Sequence, residues 1–158
     1  MDYSVFEAEE WKKRPEESEQ EHMERVIGGA LAEKPGGKRL VNDMLGAKLI
    51  GCDAQEKTVT LEFCVEAWMG NPNGTLHGGL LATASDMTMG ILARYYKQAR
   101  NCVTVQMSVD YLRTVGIGNK FRVCARALKT GRRVLFMSAE VTDAESLKAA
   151  GEVTAVFM

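Results

Sequence analysis

The chain has 158 residues, a net charge of −1 and 46% hydrophobic residues. This length fits one domain with a packed core. A near-neutral chain gives no global electrostatic support for nucleic-acid binding. No uninterrupted apolar run reaches the ~18 residues that predict a membrane span, so we expect neither nucleic-acid nor membrane partners.

The cysteines and the N-terminus together predict a cytoplasmic protein. The cysteines form no Cys-x-x-Cys pair and have no histidine at the spacing of a zinc site, so we predict no metal. We interpret them as reduced, mostly buried residues that pack like small hydrophobic side chains. The first residues are acidic, unlike a signal peptide. The cysteines are Cys52, Cys64, Cys102 and Cys124.

The composition of residues 1–38 predicts that they form a charged helical extension followed by a loop. The extension is dense in Glu, Lys and Arg, and Pro15 interrupts any single long helix. Apolar residues recur at helical spacing over residues 23–31. We expect this extension to be poorly packed. The Pro- and Gly-containing loop at residues 34–38 would separate it from a domain over residues 39–158.

The sequence pattern of residues 39–158 predicts a domain with an antiparallel sheet of five to six strands and one long helix. Several segments alternate apolar and polar residues or form short apolar runs. A Thr-Gly pair at residues 130–131 predicts a hairpin turn. This is an α+β layout in which the helix covers one face of the sheet. The segments are residues 45–52, 59–65, 103–110, 121–128, 134–142 and 151–158.

The stretch between the second strand and the helix begins as a loop. Pro72, Asn73 and Gly74 stand in an order that turns favour. Thr75 is a candidate N-cap for a helix that runs to about Tyr96. An apolar stripe at steps of three and four residues marks the face that we expect to be buried. It comprises Leu80, Leu81, Ala84, Met87, Thr88, Ile91, Leu92 and Tyr95.

The opposite face of the helix carries small residues around one carboxylate. There Asp86 would be partly desolvated, as carboxylates used in chemistry often are; the alternative is a solvated surface charge. Gly78 and Gly79 would leave N–H groups uncovered at the positive end of the helix dipole, where they can polarise a carbonyl; the alternative is a flexible turn. This face comprises Gly79, Ala82, Asp86, Gly90 and Ala93.

One motif in this stretch carries a resemblance to a known family. It reads Asn71-x-x-Gly74-x-x-His77-Gly78-Gly79, followed by Asp86 nine residues after the histidine. It resembles the signature of the PaaI-type hotdog-fold acyl-CoA thioesterases, including their thioesterase superfamily member 2 type. The similarity covers roughly residues 40–158. It implies the hotdog fold and hydrolysis of a fatty-acyl or aryl-acyl coenzyme A. It implies no cofactor, because the coenzyme A thioester is the substrate.

Helix geometry predicts that each site is shared by two chains. Gly78 and Asp86 are eight residues apart, or ~12 Å along one helix. One carbonyl carbon cannot lie within ~3–3.5 Å of reacting groups at both. Either one residue is not catalytic, or two antiparallel helices in a two-fold dimer bring Gly78 of one chain near Asp86 of the other. The family shares its sites in this way, which implies a homodimer here and, as a dimer of dimers, a homotetramer.

The resemblance implies roles for five residues. The Gly78 N–H would hold the thioester carbonyl, and Asn71 would donate to that carbonyl or position water. Asp86 would act as a general base or as a nucleophile, with the Thr104 hydroxyl beside it. His77 would steady the loop or help the thiolate leave. The alternatives are a purely structural histidine and an ordinary strand threonine.

Basic residues after the third strand and around the hairpin turn match regions that bind the nucleotide end of coenzyme A in similar proteins. Arginine suits phosphate because its planar fork donates two hydrogen bonds. A basic hairpin tip can instead serve solubility alone. Residues 114–116 stand where the family often has a proline and a lysine, so the chain departs from the family there. The predicted binding residues are Gly79, Arg113, Lys129, Gly131, Arg132 and Arg133.

Two other functions of the same fold stay open. A non-catalytic acyl-CoA-binding or sensing protein would gain nothing from an acid that faces the acyl carbonyl. A hydratase or dehydratase would need a different acid and histidine arrangement, and His22 and His77 are the only histidines. The acyl group is not specified, because the methionines suit either an adaptable pocket or an ordinary core. These are Met69, Met87, Met89 and Met107.

Overall fold

In the computed structural model, which describes residues 11–32, 40–98 and 102–158, one long helix lies on a six-stranded antiparallel sheet. The predicted α+β architecture is confirmed. The elements are α1 (Glu19–Leu31), α2 (Val41–Met44), β1 (Lys48–Asp53), β2 (Thr58–Cys64), a 3-10 turn (Ala67–Met69), α3 (Gly78–Lys97), β3 (Thr104–Tyr111), β4 (Lys120–Thr130), β5 (Leu135–Asp143) and β6 (Ala149–Phe157). The strand order is β1-β2-β4-β5-β6-β3, so β1 and β3 are the edges of this sheet.

Alternation of side chains gives the sheet one apolar face. In β4, Phe121, Val123 and Ala125 are buried, whereas Arg122 and Cys124 between them are only partly covered. The register continues this layer across the sheet, because Val123 pairs with Leu61 on one side and Val141 on the other. All six predicted strands occur. β1 begins at Lys48, later than predicted, because Leu45 and Gly46 form a turn after α2.

The buried face of α3 is rotated slightly from the predicted stripe. Leu80 and Met87 are only partly buried, whereas Ser85 is fully buried. The core accepts Ser85 and Thr88 because their hydroxyls donate to carbonyl oxygens one turn earlier, at 2.9 and 2.7 Å. Ala93, predicted on the small-residue face, is buried instead.

The two edges of the sheet differ. At the end of the β1 edge, the side-chain amide of Gln20 on α1 donates to the Cys52 carbonyl at 2.8 Å and accepts from the Ala54 N–H at 2.9 Å; most other residues of β1 are exposed. Most residues of β3 are exposed, including Val105 and Tyr111. Within the described residues, β3 pairs only with β6, and its other side is open.

Trp11 and one face of α1 belong to the core, so the predicted poor packing of this extension is wrong for these described residues. The helix begins at Glu19, earlier than predicted, because Ser18 and Glu21 form a capping box. Its buried face and Trp11 join the same core as α3. There the buried His22 donates from Nε2 to the Trp11 carbonyl at 2.9 Å. Residues 1–10 and the predicted loop at residues 34–38 lie outside the described residues. The boundary at residue 39 stays a prediction.

The cysteines are less buried than predicted. All four are free thiols; Cys64 is exposed, and the other three are only partly buried. Cys64 and Cys124 fall on the outer face of the sheet, opposite its apolar layer. Burial raises the pKa of the Cys52 and Cys102 thiols.

No helix within the described ranges is long and apolar enough to cross a membrane.

The packing of α1 predicts that Ile27→Ala destabilises the whole protein. Ile27 is fully buried, so the truncation should lower the free energy of unfolding by about 2–5 kcal/mol. Urea denaturation followed by circular dichroism measures this change. The exposed Glu24→Ala, on the same helix, serves as a control and should stay within about 0.5 kcal/mol of the parent. Equal stability of Ile27→Ala and the parent protein would contradict a core role for α1.

Candidate active site

The Asn71 side chain organises the loop before α3. Its Oδ1 accepts from the Asn73 and Thr75 N–H groups at 2.9 and 3.3 Å, and its Nδ2 donates to the Thr75 hydroxyl at 3.0 Å. Gly74 completes this turn with a positive φ of 74°, which suits glycine. Thr75 is therefore committed to the loop, and the prediction that it caps the helix is wrong. One Nδ2 hydrogen of Asn71 remains for another acceptor.

The helix is capped by His77. Its Nδ1 accepts a hydrogen bond from the Gly79 N–H at 3.0 Å, which places the ring proton of the neutral imidazole on Nε2. The predicted pair of uncovered glycine amides is therefore reduced to one. Within the described residues, no acceptor lies within hydrogen-bond range of the Gly78 N–H. A single backbone donor at the positive end of α3 is available to a ligand oxygen.

Tyr111, which sequence reasoning did not assign to the site, packs against Gly78. Its hydroxyl donates to the Gly78 carbonyl at 3.1 Å. A Cβ at Gly78 would lie 3.1 Å from the Tyr111 ring, tighter than ordinary contact, so this ring position favours glycine at the start of the helix. Tyr111 ends the predicted strand, but no spacing in the sequence indicates that its ring folds back onto the helix.

Asp86 and Thr104 meet directly. Asp86 is half-buried, and its Oδ1 accepts a hydrogen bond from the Thr104 hydroxyl at 2.5 Å. Both side chains line a depression of about 90 Å³ on the surface of the chain. The remaining lining residues are Asn42, Met87, Gly90, Ile91, Arg94, Cys102 and Phe157. One carboxylate oxygen is thus engaged, and the other is left for a ligand or a water molecule.

Strand β3 runs beside the N-terminal half of α3 and contacts both functional ends. Thr104 at its start touches Asp86, and Tyr111 at its end touches Gly78. Because α3 is one continuous helix, the Gly78 N–H and Asp86 stay ~12 Å apart along its axis. One chain alone therefore does not bring these two groups to the same reacting carbon.

The predicted cationic residues lie at opposite ends of α3. Arg113 is exposed just after β3, close to the Gly78 end. The β4–β5 turn carries Arg132 and Arg133, both exposed. It lies at the other end, because the Lys97 ammonium donates to the Arg133 carbonyl at 2.9 Å. Lys129 stands exposed beside this turn. Glycine is required at 131, since a Cβ there would lie 2.7 Å from the Val134 carbonyl oxygen.

Comparison with known proteins identifies the family to which the chain is similar. The model of the thioesterase superfamily matches residues 73–150. Acyl-coenzyme A thioesterase 13 of Mus musculus is 32% identical over 119 residues, which cover 75% of this chain and 81% of that relative.

Two solved structures share the architecture. Zebra fish thioesterase superfamily member 2 matches with a TM-score of 0.70 at 26% identity, over 89% of this chain and 97% of that one. The E. coli PaaI protein, from the phenylacetic acid degradation operon, matches with a TM-score of 0.75 over 89% of this chain and 94% of that one. Its identity is 18%, so this likeness shows the fold alone. The chain belongs to the thioesterase superfamily and is a thioester hydrolase with the hotdog fold.

The His77 cap predicts a specific pattern of stability. His77→Ala removes the acceptor for the Gly79 N–H and should cost about 0.5–2 kcal/mol of unfolding free energy. His77→Asn supplies a short capping oxygen and should recover most of that loss. Urea denaturation of both variants at one fixed protein concentration measures the difference. If alanine is as stable as histidine, or asparagine no better than alanine, the side chain does not act as the cap.

Proposed function

We propose that the chain hydrolyses the thioester of a fatty-acyl or aryl-acyl coenzyme A to the free acid and coenzyme A, at two sites shared across a homodimer. One observation carries this proposal: a carboxylate held by a threonine hydroxyl and an unoccupied backbone donor lie two helical turns apart on α3. The name of the mouse relative, an acyl-coenzyme A thioesterase, supports the choice of substrate. We further propose, from the family, that dimers pair into tetramers. Cytoplasmic location stays a prediction.

The open edge of β3 supports the dimer. Val103, Val105 and Leu112 leave more than half of their surface exposed, at 58%, 57% and 54%. An unpaired strand edge with apolar side chains is a surface that a second strand can cover. Two copies of β3 related by a two-fold axis would pair antiparallel and extend the sheet. Because β3 runs beside α3, the same axis would place Gly78 of one chain near Asp86 of the other.

In such a site the Gly78 N–H holds the thioester oxygen. The positive end of α3 stabilises the negative charge that develops on this oxygen as the carbonyl carbon becomes tetrahedral. Asp86 of the second chain either takes a proton from the attacking water or attacks the carbon itself. The new bond joins an oxygen to the acyl carbon, the carbon–sulfur bond breaks, and the leaving thiolate of coenzyme A takes a proton. Over the full cycle one water is consumed.

Three neighbouring side chains keep this machinery in place. Thr104 fixes one oxygen of Asp86, so the other faces the reactants. His77 orients the first turn of α3 and thereby the Gly78 N–H. Asn71 shapes the loop, and the remaining hydrogen on its Nδ2 is a second donor for the thioester carbonyl. Asn71 and His77 thus act largely by positioning the backbone.

The nucleotide end of coenzyme A would be bound by the exposed cations. Arg113 and the turn at Arg132 and Arg133 lie at opposite ends of α3, so one chain does not offer both to one site. In an antiparallel pair of helices, the chain that supplies Gly78 would contribute Arg113, and the chain that supplies Asp86 would contribute the turn with Lys129. Guanidinium groups suit the phosphates because they donate paired hydrogen bonds.

The Asp86 role predicts a large loss of turnover in Asp86→Asn. This nearly isosteric change should lower kcat by roughly 10²–10⁴-fold, the usual contribution of a general acid or base. Thiol release from acyl-CoA measures the rate. Glu140→Gln, which neutralises an exposed carboxylate on β5, is the matched control and should keep the parent rate. Wild-type kcat in Asp86→Asn would overturn the mechanism. The parent's failure to hydrolyse any acyl-CoA it binds would favour a binding protein.

Shared sites predict complementation between two inactive chains. Asp86→Asn and Asn71→Ala homodimers should each be nearly inactive. A heterodimer has one site with both changes and one site with neither, so it should recover about half of the parent activity per dimer. Two different affinity tags allow the heterodimer to be purified, and mass spectrometry verifies its composition. An inactive heterodimer, or a fully active monomer, would contradict sites shared in this way.

A further inference from the structure

A cation shares the depression that holds Asp86. Arg94 lies eight residues after Asp86 on α3, and both side chains line the same depression. Gly90, midway between them, also lines it and has no side chain to divide the space. A long helical side chain tends to lean toward the N-terminus of its helix, which along α3 is the direction of Asp86.

Among the described residues, Arg94 has no ionic partner. Within the described residues, the ion pairs involve other cations: Lys13, Arg14, Arg25, Lys120, Arg122 and Arg126. A cation in the last turns of a helix is favoured by the helix dipole, and Lys97 is placed for the same reason. Lys97 does not line the depression, however, whereas Arg94 does. The dipole accounts for the charge but not for its place beside Asp86.

We infer that the acyl group occupies this depression and that, among acyl-coenzyme A thioesters, Arg94 favours a short acyl group that ends in a carboxylate, such as glutaryl, over the plain fatty-acyl or aryl-acyl groups named above. The inference rests on the proposed thioester hydrolysis at Asp86. Met87, Ile91 and Phe157 supply apolar contact for the methylene groups. Arg94 supplies a bidentate partner for the terminal carboxylate and offsets the repulsion between that carboxylate and Asp86.

The size of the depression favours a short acyl group. On one chain its volume is about 90 Å³, small beside the ~300–1,000 Å³ of typical ligand pockets. The phosphates of coenzyme A are a different anion, but they lie a whole pantetheine arm away from the thioester. We therefore assign the group that contacts both Asp86 and Arg94 to the acyl side of the thioester, and the pantetheine thioesters described below test that assignment.

The test compares two five-carbon acyl groups, glutaryl and pentanoyl, which differ in their terminal carboxylate and methyl. The parent protein should show a kcat/KM about 10-fold or more higher for glutaryl-CoA, the effect of a charge-assisted hydrogen bond. Arg94→Leu should abolish or reverse this preference while hydrolysis of pentanoyl-CoA persists. Arg94→Lys should keep part of it. Lys97→Met removes a cation from the same helix end and should leave the ratio unchanged.

Pantetheine thioesters of the same two acids separate the acyl end from the phosphates. Our inference expects the same loss of preference with these esters, because they retain the acyl group. A loss confined to the coenzyme A esters would assign Arg94 to a phosphate and overturn the inference. An equal rate for both acids in the parent, or an unchanged ratio in a folded Arg94→Leu, would also overturn it. If the folded dimer hydrolyses no thioester at all, the proposed function fails and the inference fails with it.

Discussion

Helix α3 holds the two candidate catalytic groups of this protein apart, and the proposed dimer follows from that separation. The free Gly78 N–H and the Asp86 carboxylate are fixed on α3, ~12 Å apart, and no side-chain rotation within one chain brings both to one carbon. In the proposed dimer, a second copy of the same helix, running in the opposite direction, would bring the two groups together at two equivalent sites. The carboxylate and the donor of each site would then belong to different chains, and the geometry of the site would depend on the stability of the interface.

Of the two edges of the described sheet, β3 is the one beside the candidate site. At the end of β1 the Gln20 amide bonds the Cys52 carbonyl and the Ala54 N–H, as a further strand would. At β3 the edge is open and carries exposed apolar side chains. An open apolar edge is a surface that another strand can cover. The same strand contacts Asp86 through Thr104 and Gly78 through Tyr111, so pairing at β3 would act directly on the candidate site.

The sequence predicts those features that depend on local pattern. Alternation in residues 121–128 predicts β4 because one face of the strand is buried, and helical spacing predicts α3. The His77–Gly78 motif and Asp86 place the candidate site on that helix. Local pattern does not predict the contact of Tyr111 with Gly78 or the packing of α1, because both arise from contacts between segments that are distant in the sequence. Thr75 was expected at the cap because its hydroxyl suits a helix start, but Asn71 engages that hydroxyl in the loop.

Electrostatics in the depression follow from the period of the helix. Positions 86, 90 and 94 succeed one another at steps of four, so a carboxylate, a gap and a guanidinium lie along one face of α3. The two opposite charges cannot neutralise each other directly across Gly90 without closing the space between them. A ligand that is electrically polarised in the same sense, with an electrophilic carbonyl at Asp86 and a negative end at Arg94, fits this arrangement better than a neutral chain. In the proposed mechanism, the same helical period that places Asp86 at the thioester would also place Arg94 where it selects the acyl group.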